Sequence, residues 1–226
     1  MSKKISLSQK INVLRAGVMG ANDGILSVAG IVIGVAGATS NNFSIFISGI
    51  AGMLAGTVSM AMGEYVSVST QKDSQEVATA DSEFNLKNNY DDEYAFVYKK
   101  YLKTGISSTL ASKATTEMMT ANPLTTIVRE KYGFNPEVYT DPYAAAIASM
   151  ISFPIGSLLP LLAITMFPAK FKVTATFISV IIALAITGFS AATLGNSNRS
   201  KAIIRNIISG VLTMLVTYFI GTLFAH

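Results

Sequence analysis

Five long stretches of this chain carry almost no charge, and each is long enough to cross a lipid bilayer. They run over residues 16–39, 43–71, 142–169, 173–198 and 206–225. Because a helix rises about 1.5 Å per residue, about 20 apolar residues cover the roughly 30 Å of the hydrocarbon layer. With 50% hydrophobic and 13% charged residues, the chain is too apolar for an ordinary soluble domain. The pattern predicts an all-α membrane protein with five transmembrane helices per protomer.

Residues 72–141 differ sharply from the rest of the chain because they hold most of its acidic residues. Of the 13 Asp and Glu residues, only Asp23 and Glu64 lie outside this region. We therefore expect an inserted cytosolic helical domain between transmembrane helices 2 and 3, whose first helix continues from helix 2. Helix breaks are expected at Asn88-Asn89, Thr104-Gly105, Asn122-Pro123 and Gly133. The expected organisation is an N-terminal cytosolic segment at 1–15, helices 1 and 2 at 16–71, the cytosolic domain at 72–141, and helices 3 to 5 at 142–226.

Basic residues determine the expected orientation in the membrane. Lys3, Lys4, Lys10 and Arg15 precede the first stretch, and Arg199, Lys201 and Arg205 lie between the fourth and fifth stretches. By the positive-inside rule, the N-terminus and the soluble domain face the cytosol and His226 lies outside. The basic residues lie beside apolar segments and form no patch interleaved with aromatic residues, so nucleic acid is not expected as a partner.

Several chemistries are excluded by residues that the chain lacks. It has no cysteine, which excludes disulfides, zinc fingers and iron–sulfur clusters, and its single histidine is the last residue. An intramembrane aspartyl protease needs two aspartates in the membrane, but the five stretches contain only Asp23. We therefore expect no enzyme and no tightly bound cofactor.

Two carboxylates inside the predicted spans need an explanation. A charge at mid-bilayer costs about 2.5 to 3.5 kcal/mol on insertion scales, so Asp23 and Glu64 are expected to face a cavity, a partner or a substrate. Met60 lies one turn before Glu64 on the same helix face, and Met53 lies two turns before Met60. A ladder of Met53, Met60 and Glu64 facing Asp23 would combine oxygen and thioether ligands. Such a set suits transition-metal ions and discriminates against Mg²⁺ and Ca²⁺.

Each of these residues also has a structural interpretation. A methionine in a membrane helix usually serves packing, and Glu64 near the interface could extend to water. Asn22 and Gly24 beside Asp23 could mark a locally unwound helix whose free carbonyl groups form an ion site. The residue pattern leaves these alternatives open.

Glycines at four-residue spacing predict close helix packing in the first two spans. Either these two helices pack within one subunit, or their faces form a symmetric dimer in which both copies of Asp23 line the axis. Prolines in the third stretch predict kinks or breaks there. The glycines are Gly20, Gly24, Gly30, Gly34, Gly52 and Gly56, and the prolines are Pro154, Pro160 and Pro168.

Two sequence runs resemble the vacuolar iron transporter family, and its bacterial branch in particular. They are residues 15–27, RAGVMGANDGILS, and residues 49–69, GIAGMLAGTVSMAMGEYVSVS. The resemblance implies a homodimer that moves Fe²⁺ or Mn²⁺ out of the cytosol in exchange for protons. It also implies a path along the dimer axis lined by Asp23 and Met60, in a protein of the bacterial cell membrane.

The chain departs from the family pattern in two regions. Plant vacuolar members carry a further carboxylate where this chain has Gly52, so Glu64 takes that role or the role is absent. In the family, cytosolic glutamates and methionines capture metal, but here only Glu93 aligns with such a glutamate, and other positions read Ser82, Asn85 and Lys131. We expect a solvated surface, with a weak metal-collecting site as the alternative. The residues concerned are Asp73, Glu76, Asp81, Glu83, Glu93, Glu117, Met118 and Met119.

The expected mechanism is an exchange of metal for protons. In a cavity of low dielectric the charged form of a carboxylate is disfavoured, so Asp23 and Glu64 would hold protons until a divalent ion displaces them. A site that faces the two sides alternately gives antiport, whereas a continuously open path gives a channel. The alternative function is a metal-responsive membrane sensor or scaffold without transport, in which Met118 and Met119 would be working parts.

Overall fold

The computed structural model describes residues 7–138 and 140–225, and these residues form helices without any strand. The expected orientation also rests on Lys3, Lys4 and His226, and these lie outside the described residues. The helices are α1 (Leu7–Ala38), α2 (Asn42–Asn88), α3 (Tyr90–Lys103), α4 (Ser108–Ala121), α5 (Pro123–Tyr132), α6 (Pro142–Met166), α7 (Lys172–Leu194) and α8 (Arg199–Leu223).

Five of these helices, α1, α2, α6, α7 and α8, are long and apolar enough to cross a membrane. The prediction of an all-α chain with five spans is confirmed. The helices extend beyond the uncharged stretches, because α1 begins at Leu7 and α2 continues to Asn88. Lys, Glu and Gln are good helix formers, so a change in charge marks the edge of an apolar layer and not the end of a helix.

The structure confirms the helix breaks that were predicted within residues 72–141. Asn122 caps α5 by accepting a hydrogen bond from the backbone N–H of Thr125, and Pro123 follows as the first helical residue. Gly133 ends α5 with a φ of 78°, in the left-handed region that glycine adopts without strain. Short-range capping chemistry therefore predicts this part of the fold well.

The third predicted stretch is broken only near its end. α6 continues through Pro154 and Pro160, whereas Pro168 lies in the turn that follows the helix, as a predicted break would place it. The alternative of an unwound turn in α1 is wrong. α1 is helical through Asn22, Asp23 and Gly24, so no backbone carbonyl is freed there. The packing of α1 against its neighbouring helices, described below, explains why these three residues remain helical.

The chain divides into two compact units, one formed by Met1–Ser67 with Asp141–His226 and the other by Val68–Thr140. In the first unit, which we call the membrane unit, α1 packs against α6, α7 and α8. Its buried core includes Val28, Val32, Ile33, Ile45, Ile164, Val180, Leu184 and Met214. In the second, the soluble unit, Val97, Met119 and Ile127 form the core where α3, α4 and α5 meet.

The glycines of α1 contact α6 and α8 in the same chain. A Cβ atom at Gly24 would collide with the backbone oxygen of Phe153 in α6, and one at Gly20 would collide with Ser152. Gly30 and Gly34 face α8 more loosely, since a Cβ atom at either position would lie 3.1 Å from Thr213 or Thr217. The four α1 glycines thus pack α1 against α6 and α8, and not against α2 as expected, whereas Gly52 of α2 does contact Ile31 of α1. The symmetric dimer stays a prediction.

Candidate functional site

A groove of about 580 Å³ lies between α1 and α2, with Phe153 of α6 in its wall. We call it the α1–α2 groove. Three of the predicted residues, Asp23, Met60 and Glu64, line it together. The other lining residues are small or apolar: Ser27, Ile31, Gly52, Ala55, Gly56, Ser59, Gly63, Ser67 and Phe153.

Asp23 presents its carboxylate to this groove. The side chain is exposed in the single chain and accepts a hydrogen bond of 3.2 Å from the hydroxyl of Ser27, one turn later on α1. Ser27 belongs to the same motif as Asp23, but sequence alone gave it no role. The carboxylate keeps acceptor capacity for a cation because one hydroxyl uses only part of its four lone-pair sites.

Glu64 is almost buried and lies beside an arginine from α1. Its side chain is 10% exposed, and its Oε2 lies 3.8 Å from Nη2 of Arg15. A free extension of Glu64 into water, one of the structural interpretations, is therefore wrong for this chain. The positive-inside rule explained Arg15 only as an orientation signal, whereas the structure also makes it the cation that neutralises Glu64.

The methionines of α2 divide into different environments. Met60 is half-buried and lines the groove, whereas Met53 packs against the core cluster of the membrane unit. Met62 is 55% exposed and does not line the groove. The predicted ladder therefore keeps Met60 and Glu64, and Met53 has the packing role that was its alternative.

Asn22 joins three helices instead of lining the groove. Its Oδ1 accepts hydrogen bonds from the Thr187 hydroxyl of α7 at 3.2 Å and from Asn206 Nδ2 of α8 at 3.0 Å. Gly24, on the other side of Asp23, permits the contact with α6. The polar and small residues around Asp23 thus fix the position of α1 in its bundle, and they require no unwound turn. The roles of Thr187 and Asn206 could not be predicted from the sequence, because a single uncharged polar residue in an apolar span carries no distinguishing signal.

A second groove, of about 350 Å³, lies between α1 and α8, and we call it the α1–α8 groove. It shares Asp23, Ser27 and Ile31 with the α1–α2 groove and adds Thr213 and Thr217 of α8. These three shared residues form one stripe of α1 along which the two grooves lie side by side, and Asp23 is the acidic residue of that stripe.

Gly52 occupies the position at which the resemblance leads one to expect a further carboxylate. A Cβ atom on Gly52 would collide with Cδ1 of Ile31, which lies across the groove on α1. An added carboxylate would have to displace that side chain. Ile31 thus occupies the space next to Gly52 that the side chain of a third acid would need.

The acidic residues of the soluble unit that were considered as metal ligands are mostly paired with lysines. Three of the pairs are exposed and lie one turn apart on one helix: Lys72 with Glu76 at 3.5 Å, Lys87 with Glu83 at 2.8 Å, and Lys113 with Glu117 at 4.0 Å. Asp73 and Asp81 face a shallow groove beside Tyr132. Among the described residues, no three Asp, Glu or His side chains cluster in a way that could hold a metal ion.

Glu93 is buried, and Lys131 supplies its counter-charge. Nζ of Lys131 lies 2.5 Å from Oε1 of Glu93, and Oε2 of Glu93 has no hydrogen-bond partner within the described part of the chain. Met119 belongs to the core of the soluble unit and Met118 is half-buried. Nearby, burial and the Glu130 carboxylate raise the pKa of the Tyr101 hydroxyl, which donates a hydrogen bond to Glu130.

The sequence profile of the VIT family matches residues 14–222, a range that includes every residue of both grooves. The chain belongs to the VIT family. Among its relatives, the vacuolar iron transporter of Acanthamoeba castellanii is 31% identical over 211 residues, which cover 93% of this chain and 78% of that protein. Vacuolar iron transporter homolog 2.1 of Arabidopsis thaliana is 30% identical over 226 residues, covering 97% and 87% of the two chains. Vacuolar iron transporter homolog 2 of Oryza sativa subsp. japonica is 33% identical over 214 residues, covering 94% and 90%.

The match covers both units of this VIT-family chain. The matched range begins before Arg15 and ends after Thr217 of α8, so it contains all the residues that line the two grooves. The family assignment made from the runs at residues 15–27 and 49–69 is therefore confirmed.

Proposed function

We propose that this chain is a membrane transporter that exports Fe²⁺ and/or Mn²⁺ from the cytosol in exchange for protons. The observation that carries the proposal is the α1–α2 groove, where Asp23, Met60 and Glu64 face one space. The names of its relatives, which include a vacuolar iron transporter, support the choice of metal.

The donor set favours a transition-metal substrate. Two carboxylates alone also attract Mg²⁺ and Ca²⁺, which prefer oxygen ligands. The thioether of Met60 is a softer ligand, and it raises the relative affinity for Fe²⁺ over these hard ions. The metal passes through as cargo, so the groove needs only transient ligands and no closed coordination shell.

Arg15 gives the exchange an entry step. Because α1 rises about 1.5 Å per residue, Arg15 and its partner Glu64 lie about 12 Å from Asp23 along the helix. A divalent ion that enters at this end competes with the arginine for Glu64 and then reaches Met60 and Asp23. Protonation of the carboxylates from the opposite side releases the ion, because proton and metal compete for the same oxygens.

A second copy of the chain would complete the path. The groove is open on one side, and Ala55, Ser59 and Gly63 of α2 form an exposed small-residue face beside it. Small residues let membrane helices approach closely. A two-fold axis at this face would bring two copies of Asp23 and Met60 to one path, so we propose a homodimer.

The proposed topology places the N-terminus and the unit Val68–Thr140 in the cytosol and the C-terminus outside. Lys10 and Arg15 near the start of α1, and Lys201 and Arg205 near the start of α8, support this orientation. The resemblance to the bacterial branch favours the bacterial cell membrane as the location, with lipid around the five spans.

Metal flux in proteoliposomes tests this function. Purified protein is reconstituted with an internal pH dye, and Fe²⁺ or Mn²⁺ uptake is followed with and without an imposed proton gradient. The proposal expects metal movement with opposite proton movement, and loss of both in Asp23→Asn. Absence of flux for both ions in sealed vesicles that hold dimeric protein would contradict transport and would favour a sensor or scaffold instead.

A further inference from the structure

The α1–α8 groove differs in chemistry from the α1–α2 groove. Among the residues that the structure describes, its lining contains Asp23 as the only acid and no methionine, and α8 contributes only the threonines Thr213 and Thr217. The two grooves thus offer Asp23 two different environments.

The α1–α8 groove runs from Asp23 toward the C-terminal ends of both helices. The hydrogen bond between Asn206 and Asn22 places Asn206, seven residues after the start of α8, level with the residue that precedes Asp23. Thr213 lies two turns beyond Asn206 and Thr217 three turns beyond, so they are about 10 and 16 Å further along the helix. The two helices run in parallel here, because Gly30 faces Thr213 and Gly34 faces Thr217.

Both threonines that line this groove carry hydroxyl groups bonded to their own helix. Thr213 donates its proton to the carbonyl of Ser209 at 2.8 Å, and Thr217 donates to the carbonyl of Thr213 at 2.9 Å. Each oxygen therefore keeps lone pairs that can accept a hydrogen bond from water. Neutral hydroxyls are poor ligands for a transition metal compared with a thioether or a carboxylate, but they suit water and a hydrated proton.

We infer that the α1–α8 groove is a water-filled branch that delivers protons to Asp23 from the side at which α8 ends. The inference rests on the proposed function, and it assigns metal and proton to two neighbouring grooves that share the Asp23 carboxylate. In the exchange step, a hydrated proton in the branch transfers to a carboxylate oxygen of Asp23 and leaves a water molecule behind. The contact between Asp23 and the metal ion breaks as the carboxylate becomes neutral.

Replacing the threonine oxygens tests the branch. Valine has the shape of threonine without the oxygen, so a Thr213→Val and Thr217→Val double variant keeps the packing on Gly30 and Gly34. We expect proton-coupled metal flux to fall by at least about tenfold, as for other lost proton-transfer groups. The flux should recover partly when the pH on the side of the α8 C-terminus is lowered. The Mn²⁺ dissociation constant in detergent should stay unchanged.

Two further variants separate this role from simple packing. Thr217→Ser keeps the oxygen and should retain flux. Thr222→Val removes a hydroxyl that lies outside the groove and donates to the carbonyl of Phe219 at 2.7 Å, so it should also retain flux. Native flux in the double valine variant would overturn the inference. So would an equal loss in Thr222→Val, or a parallel loss of Mn²⁺ affinity in the double variant.

Thiol labelling tests the branch without any transport assay. The chain has no cysteine, so a single introduced cysteine gives no background. Thr217→Cys should react with a charged, membrane-impermeant thiol reagent added on the side where α8 ends, and Leu215→Cys, on an exposed apolar face of α8, should not. If the native chain moves no metal, the proposed function fails, but labelling still decides the branch. Absence of reaction at Thr217→Cys overturns it, and selective reaction supports it.

Discussion

The membrane unit and the soluble unit of this chain use their carboxylates in different ways. In the soluble unit, Glu76, Glu83 and Glu117 each pair with a lysine one turn away on the same helix. In the membrane unit, Asp23 accepts a hydrogen bond from a serine, and Glu64 meets an arginine from another helix. The residue type is the same, but the source of the neutralising charge differs.

This difference indicates where an external cation can bind. Each of these three carboxylates has a lysine within 4.0 Å on its own helix, so part of its negative charge is already compensated there. Asp23 has a neutral partner in a groove between helices, and an ion that enters the groove supplies the missing positive charge. This difference supports the proposal that ion exchange takes place in the membrane unit.

The largest expected effect comes from removing the charge of Asp23. Asp23→Asn should lower metal flux by at least about 100-fold, equivalent to about 2.7 kcal/mol of lost stabilisation. The side chain keeps its size, so the thermal unfolding midpoint should not change. Flux into proteoliposomes measures the effect, and Asp81→Asn in the soluble unit is the matched control. A similar loss in Asp81→Asn would remove the distinction between the two units.

The next effect concerns the buried pair in the soluble unit. Lys131→Met leaves the Glu93 carboxylate buried without its counter-charge, and it should destabilise this unit by about 2 to 3 kcal/mol. Hydrogen exchange of the α3 and α5 amides in the full chain would report the loss. A second replacement, Glu93→Leu, should restore protection because no buried charge remains. Unchanged exchange in Lys131→Met would show that the pair contributes nothing to folding.

A smaller effect is expected from the thioether. Met60→Leu preserves the volume and removes the sulfur, so Fe²⁺ and Mn²⁺ affinity should fall about tenfold, or about 1.4 kcal/mol. Discrimination against Mg²⁺ should fall as well. Met62→Leu is the control, since Met62 lies on the same helix outside the groove. Competition binding in detergent measures the metal affinity of both variants. If Met60→Leu binds Fe²⁺ and Mn²⁺ as tightly as Met62→Leu does, Met60 is not a ligand.

The smallest effects should come from the exposed acids of the soluble unit. Glu76→Gln and Glu117→Gln each remove an exposed pair within one helix, worth no more than about 0.5 kcal/mol. Metal flux and unfolding should remain close to those of the native chain. A large loss of metal uptake in either variant would restore the idea of a collecting site there.

Much of the fold follows from local signals in the sequence. The five spans were visible because charge avoids them, and the helix breaks at Asn122-Pro123 and Gly133 were visible because capping depends on neighbouring residues. The site residues Asp23, Met60 and Glu64 can be predicted from the sequence because a charge in the membrane is costly and because residues one turn apart share a helix face. These inferences need no knowledge of the partner helix.

The remaining features depend on partners that are far away in sequence. Asn22 bonds to Thr187 and Asn206, more than 160 residues further along the chain, so its role could not be read from its neighbours. Met53 packs against the core because its side of α2 is turned toward the neighbouring helices. Helix periodicity shows which residues share a face, but it does not determine what that face contacts. The same holds for Arg15, whose ion pair with Glu64 required the relative placement of α1 and α2.

Proton release on metal binding tests the central claim most directly. Mn²⁺ is titrated into weakly buffered, detergent-solubilised protein containing a pH dye, for the native chain, Asp23→Asn and Asp81→Asn. If metal and proton compete for Asp23, the native chain and Asp81→Asn release protons as Mn²⁺ binds, and Asp23→Asn releases measurably fewer. Equal proton release by Asp23→Asn and the native chain would contradict the account.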